Sequence, residues 1–139
     1  MMKRTKQSLW LLLPYVLIGS FALLLMASAI RNDIFAGGLD GNFHMNGFYD
    51  AARQIKTGHY SYFLSAFGFD RSGRVVNAVY APLVNYLGGA LLLACRTWTR
   101  FYLVSSGMVL IISGITMNWL ARYLKISYWV AIGMAGLYM

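Results

Sequence analysis

An aspartate and a histidine, Asp40 and His44, stand four residues apart in GLDGNFHMNGFYDAARQIKTGHYSYF (38–63), the one well-mixed polar stretch of the chain. One helical turn apart, a carboxylate and an imidazole can share a proton. A carboxylate at an apolar boundary can accept a hydroxyl proton or hold a divalent cation against a phosphate. Further on, DRSGR (70–74) places Arg71 and Arg74 in one turn, suited to holding phosphate oxygens by paired hydrogen bonds or to anchoring on lipid head groups. A single cysteine, Cys95, inside an apolar run leaves neither a disulfide framework nor a thiolate metal cluster available.

The element that must carry the Asp40–His44 pair is a helix over residues 41–57. No proline interrupts it, Asp40 is a good N-cap residue and Gly58 is a stop signal. At about 100° per residue, Phe43, Gly47, Phe48, Ala51 and Ile55 gather on one side, and Asn42, Asn46, Tyr49, Arg53 and Lys56 on the other. Asp40 and His44 fall on the apolar side, in line with Gly47 and Ala51. A carboxylate there costs about 2.5–3.5 kcal/mol at the centre of a membrane and less near its interface. The simpler account is structural: Asp40 as an N-cap, worth about 1 kcal/mol, with His44 hydrogen-bonded to it. Asp50 reads as a wet-side acid paired with Arg53 or Gln54, and Asp33 and Asp70 as solvated loop acids. The helix is expected to lie along a membrane surface or across the tops of the spans.

Composition supplies that membrane. The chain is 59% apolar and only 12% charged, against about 25% charged in soluble domains. The net charge of +8 comes from Lys and Arg scattered through connectors, without the basic-aromatic stripe of a nucleic-acid surface, so nucleic acid is not expected as a partner. Four runs read as spans: residues 9–30, 79–95, 101–120 and 126–139, the last about six residues short of a full crossing. The expected architecture is an all-α membrane protein, a multi-span helical bundle with an external loop (31–78) that carries the amphipathic helix. The truncated fourth run reads as the amino-terminal part of a longer chain. Lys3, Arg4 and Lys6 before the first run, and Arg96 and Arg100 between the second and third, read as cytoplasmic; Arg122 and Lys125 disagree mildly with that topology. ASA (27–29) resembles a signal-peptide cleavage site, but the apolar stretch is too long for such a peptide, and an uncleaved anchor is favoured.

With these residues in view, DGNFHMNGFYDAARQIKTGHY followed by FGF, GR and YAPL resembles bacterial multi-pass membrane proteins of the pyruvoyl-tetrahydropterin-synthase-related membrane domain family. These are grouped with the C-type glycosyltransferases, which use lipid-linked sugars. The family has a second proline where this chain has Ala81. No pterin-synthase zinc site can be assembled from two histidines and one cysteine. The resemblance implies a C-type glycosyltransferase-like fold, a polyprenyl-phosphate sugar donor reached from the membrane and a cell-envelope acceptor outside. It also implies an essential acid in the first external loop, by position Asp40. His44 would orient it, Arg71 or Arg74 would neutralise the phosphate leaving group, and a divalent cation (Mg or Mn) on Asp40 is a further expectation. The alternatives are a non-catalytic envelope protein on the same scaffold and, less favoured for want of charged residues inside the spans, a transporter subunit.

Overall fold

The computed structural model describes residues 2–32, 40–76 and 78–139, with backbone only for residues 2–11; Asp33 lies outside the described residues. All regular structure among them is helical: α1 (Met2–Asn32), α2 (Gly41–Thr57), a short turn of 3-10 type (Phe69–Arg71), α3 (Pro82–Cys95), α4 (Trp98–Tyr123) and α5 (Tyr128–Tyr138). The chain divides into two compact units, one of residues 1–34 with 103–139 and one of residues 35–102.

In the first unit, Ile18, Ala22 and Met26 form a buried stripe at spacing four along α1. Small residues let the other helices approach it. A Cβ built on Gly114 of α4 would stand 2.9 Å from the Ile18 side chain, and one on Gly107 3.3 Å from Met26 Sδ. Ala121, Ala131 and Ala135 are completely buried, and the Trp119 indole donates to the Tyr15 hydroxyl at 3.0 Å. Many large apolar side chains of this unit, among them Leu23, Leu24, Val109 and Ile112, are left exposed. Among the described residues two helices are long and apolar enough to cross a membrane, Leu12–Asn32 within α1 and Trp98–Tyr123, and only 17% and 11% of their apolar windows are buried inside the protein. The core helix of a soluble protein hides most of such a surface, whereas a helix apolar all round and left uncovered is matched by lipid.

The second unit is built on α2 and α3, which run parallel and side by side. Gly47 faces Asn85, Phe48 covers Gly88, and Ala51 and Ala52 meet Gly89. Ala52, Leu92 and Phe101 close a small core with Phe48 against them. The contact is backbone-close: a Cβ on Gly89 would lie 2.6 Å from the Ala52 nitrogen and 2.9 Å from the Ala51 methyl, an approach that only small residues permit. Local signals set the helix ends. Gly58 (φ +72°) stops α2, its N–H bonded to the Gln54 carbonyl, and Pro82 opens α3 in the first turn, where a missing N–H costs nothing. Arg96 ends α3 in the left-handed region (φ 64°), and Thr97 Oγ1 accepts the Arg100 N–H at the start of α4.

Two sequence expectations change here. The run read as a span at 79–95 contains a helix of 14 residues, about 21 Å long against about 30 Å of hydrocarbon. Because α3 is parallel to α2, Lys56 and Arg96 come to the same end of the pair and line one cleft. The charge-based expectation places one outside and the other inside, whereas the fold brings both to one cleft.

The seam yields a test by substitution. Gly89→Ala forces a methyl against backbone and should lower stability by about 1–3 kcal/mol, as overpacking does. Gly133→Ala on α5, with nothing within 4 Å of the new Cβ, should be neutral or stabilising by up to about 1 kcal/mol through helix propensity. Thermal unfolding of both variants in detergent micelles distinguishes the two.

Candidate functional site

Three polar residues at spacing four on α2, Asn46, Asp50 and Gln54, form a ladder that binds the returning loop. Asp50 is 2% exposed and Gln54 is fully buried. One Asp50 carboxylate oxygen accepts the backbone N–H groups of Phe67 (2.6 Å) and Gly68 (2.9 Å). The other accepts the Gln54 side-chain amide at 2.6 Å. Gln54 Oε1 in turn accepts the Ser61 N–H (2.8 Å) and the Tyr86 hydroxyl (2.7 Å), which ties the loop to α3. Asn46 Oδ1 accepts the Phe69 N–H at 3.2 Å. The loop thus runs back along α2, opposite Gln54 at Ser61 and opposite Asn46 at Phe69. Gly68 is required at the closest point, since a Cβ there would stand 2.7 Å from the Asn46 carbonyl oxygen.

This is a correction of the helix wheel. The buried acid is Asp50, and Asp40 and His44 are exposed. A wheel counts polar residues as wet, but the 46/50/54 stripe is buried under hydrogen-bond donors that lie up to 23 residues downstream. The signal was present in the spacing N-x3-D-x3-Q, ahead of a glycine-containing loop that needs acceptors. The capping account of Asp40 changes too. Asp40 holds the N-cap position with no side-chain cap bond, and its backbone carbonyl accepts the His44 N–H at 3.1 Å.

Held by this ladder, the loop turns at Phe69, Asp70 and Arg71, three consecutive non-glycine residues with φ of 51°, 56° and 59°. Left-handed backbone at such residues costs roughly 1–2 kcal/mol each. Hydrogen bonds fix the turn from both sides, Arg71 N–H to Gly68 O and Ser72 N–H to Phe69 O. It places Phe69 against Phe43, ring centroids 5.2 Å apart, and Phe43 against Tyr80 at 4.8 Å. His44 stands edge-on to Phe43 (5.6 Å) and to Tyr80 (6.0 Å). The Arg74 guanidinium lies 5.8 Å from the Phe69 ring centroid, within cation–π range. Beside it opens a cleft of about 350 Å³ lined by Asn46, Phe69, Asp70, Ser72 and Arg74.

Of the residues singled out from the sequence, His44 and Arg74 are therefore brought into one aromatic cluster around Phe43. Asp40 lies one turn before His44 at the same end of α2, and Arg71 is exposed in the left-handed turn. The described residues gather no group of three His, Cys, Asp or Glu side chains. A Mg or Mn ion on Asp40 would rest on one carboxylate and depend on substrate phosphates and water for its other ligands. The donors of the described residues do not by themselves build a resident metal site. Comparison with family models, with curated proteins and with solved structures finds no match to this chain.

The Asp50–Gln54 pair allows a charge-swap test. Asp50→Asn turns an N–H donor toward the Gln54 amide, leaves one donor unmet and should cost about 1–3 kcal/mol. The double variant Asp50→Asn/Gln54→Glu restores complementarity: the introduced asparagine would keep its oxygen on the loop N–H groups and give its amide to the new carboxylate. It should recover most of the loss, with a coupling energy of about 0.5–3 kcal/mol in a double-mutant cycle. Hydrogen exchange at Phe67 and Gly68 should rise in the single variant and return toward normal in the double. No recovery would show that the pair is not coupled as described.

Proposed function

We propose that this chain belongs to a membrane enzyme that moves a sugar from a polyprenyl-phosphate carrier to a cell-envelope acceptor outside the membrane. The observation that supports this reading is the meeting, at one end of α2, of an exposed acid and imidazole with an arginine-bearing turn on a shared aromatic cluster. In this reading Asp40 takes the acceptor hydroxyl proton, His44 orients it, and Arg71 and Arg74 neutralise the phosphate that leaves. The rings of Phe43, Phe69 and Tyr80 suit the lipid-water boundary where such a carrier presents its head. A non-catalytic envelope protein on the same scaffold is the second reading, favoured by one fact: the buried polar groups of α2, Asp50 and Gln54, are engaged in holding the loop.

For topology, α1 and α4 cross the bilayer and residues 35–102 lie outside. Lys3, Arg4 and Lys6 then fall on the cytoplasmic side together with Arg122 and Lys125, which removes the mild disagreement left by a four-span reading. The exposed Leu83, Val84 and Leu87 of α3 face the membrane interface without crossing it.

In cells making the whole protein, Asp40→Asn should abolish sugar transfer while leaving the melting temperature unchanged, because the side chain is exposed and caps nothing. His44→Ala should reduce transfer less, within the roughly 10² to 10⁴ range of an acid-base helper. Arg71→Gln/Arg74→Gln should weaken retention of polyprenyl phosphate. Full transfer by Asp40→Asn would leave the non-catalytic reading standing. Topology is tested separately in a Cys95→Ala background: Ser72→Cys should react with an impermeant thiol reagent on intact cells, and Lys125→Cys only after permeabilisation. The opposite pattern would put the site on the wrong side.

A further inference from the structure

At the other end of the α2–α3 pair, the last turn of α2, the end of α3 and the first turn of α4 enclose a cleft of about 350 Å³. We propose that this cleft binds the phosphate head group of an anionic phospholipid, as a site separate from the Asp40 end. Among the described residues, three cations, Arg53, Lys56 and Arg96, line it, and no acidic residue does. Lys56 and Arg96 also complement the negative carboxyl ends of their helices, which accounts for part of their placement. That effect does not account for Arg53. Its Nε is buried with no hydrogen-bond partner while its guanidinium carbon lies 5.8 Å from the Phe67 ring centroid. A charged donor held from water without an acceptor is costly, and Arg53 is one of the residues that line the cleft.

The apolar part of the lining decides between a lipid and a free anion. Leu92 and Leu93 line the same cleft, apolar surface suited to the first carbons of an acyl chain and of no use to inorganic phosphate. Trp98, 40% exposed and edge-on to Phe101, and Tyr49 complete the lining with aromatic rings. Trp98 is also the first residue of α4, a helix long and apolar enough to cross a membrane. A tryptophan at the mouth of such a helix marks the head-group level. Cations, an amphipathic ring and apolar surface thus coincide where lipid phosphates stand.

The test is native mass spectrometry of the intact protein released from bilayers of phosphatidylglycerol and phosphatidylcholine in equal amounts. The wild-type protein should retain phosphatidylglycerol several-fold over phosphatidylcholine, and Lys56→Gln/Arg96→Gln should bring the two near parity. Both residues are exposed, so the variant should fold, and circular dichroism checks that it does. Arg71→Gln/Arg74→Gln, at the opposite end of α2, should keep the preference. An unchanged preference in Lys56→Gln/Arg96→Gln, or its loss in Arg71→Gln/Arg74→Gln instead, would overturn the assignment. Displacement of the retained lipid by excess inorganic phosphate would also overturn it, by showing a free-anion site. Sugar transfer is not part of the readout, so failure here is distinct from failure of the proposed activity.

Discussion

The carboxylate of Asp50 is the interaction on which the second unit depends. Two backbone N–H groups and one side-chain amide converge on it inside the protein, and neutral donors satisfy it where an ion pair would need a second desolvated charge. Without that acceptor, the amides of Phe67 and Gly68 would be buried with nothing to meet them, and the loop would gain more by returning to water. The left-handed turn at Phe69–Arg71 follows from the same anchor, because its unfavourable backbone is tolerable only while the residues on either side are held. The aromatic cluster follows in turn, since Phe69 reaches Phe43 only from that turn. Gln54 extends the anchorage to α3 through the Tyr86 hydroxyl. One acid thus links the helix, the loop and the neighbouring helix.

Much of the framework could be read from local chemistry. The extent of α2, the Gly58 stop and Pro82 in the first turn of α3 all follow from residues within a few positions of the feature they control. The buried face of α2 could not be read in this way, because the donors that make Asp50 and Gln54 interior residues come from a loop 7 to 18 residues away. Asp40, on the apolar side of the helix wheel, is not covered by the rest of the protein. The sequence shows an apolar side, but not which protein segment covers the other. The run at 79–95 carries a different ambiguity. Hydropathy responds alike to a helix in lipid and to a helix lying on a neighbour. The distinguishing residues were Asn85, Gly88 and Gly89, whose small or polar side chains mark a protein contact on one face.

The residues with chemical potential stand out in the sequence by type, and their relative positions come from the fold. His44 and Arg74 share one cluster through Phe43 and Phe69, rings to which the sequence alone gives no link. The sequence marks a turn at 70–74 but not its left-handed form at Phe69–Arg71, since of these residues only Asp tolerates that backbone better than most, and far less than glycine does. Its cause lies in the hydrogen bonds on either side.

The close seam at Gly89 has a mechanical consequence. Two rods that touch backbone to backbone cannot slide, because a one-residue slip would carry Ala90 into a space where even a glycine has no room to spare. The pair therefore behaves as a ruler. From His44 to Lys56 its length is about 18 Å at the standard helical rise, and the aromatic end and the basic end are held at that separation whatever either one binds. A ligand long enough to reach both would be measured by α2, and a shorter one could occupy only one end at a time.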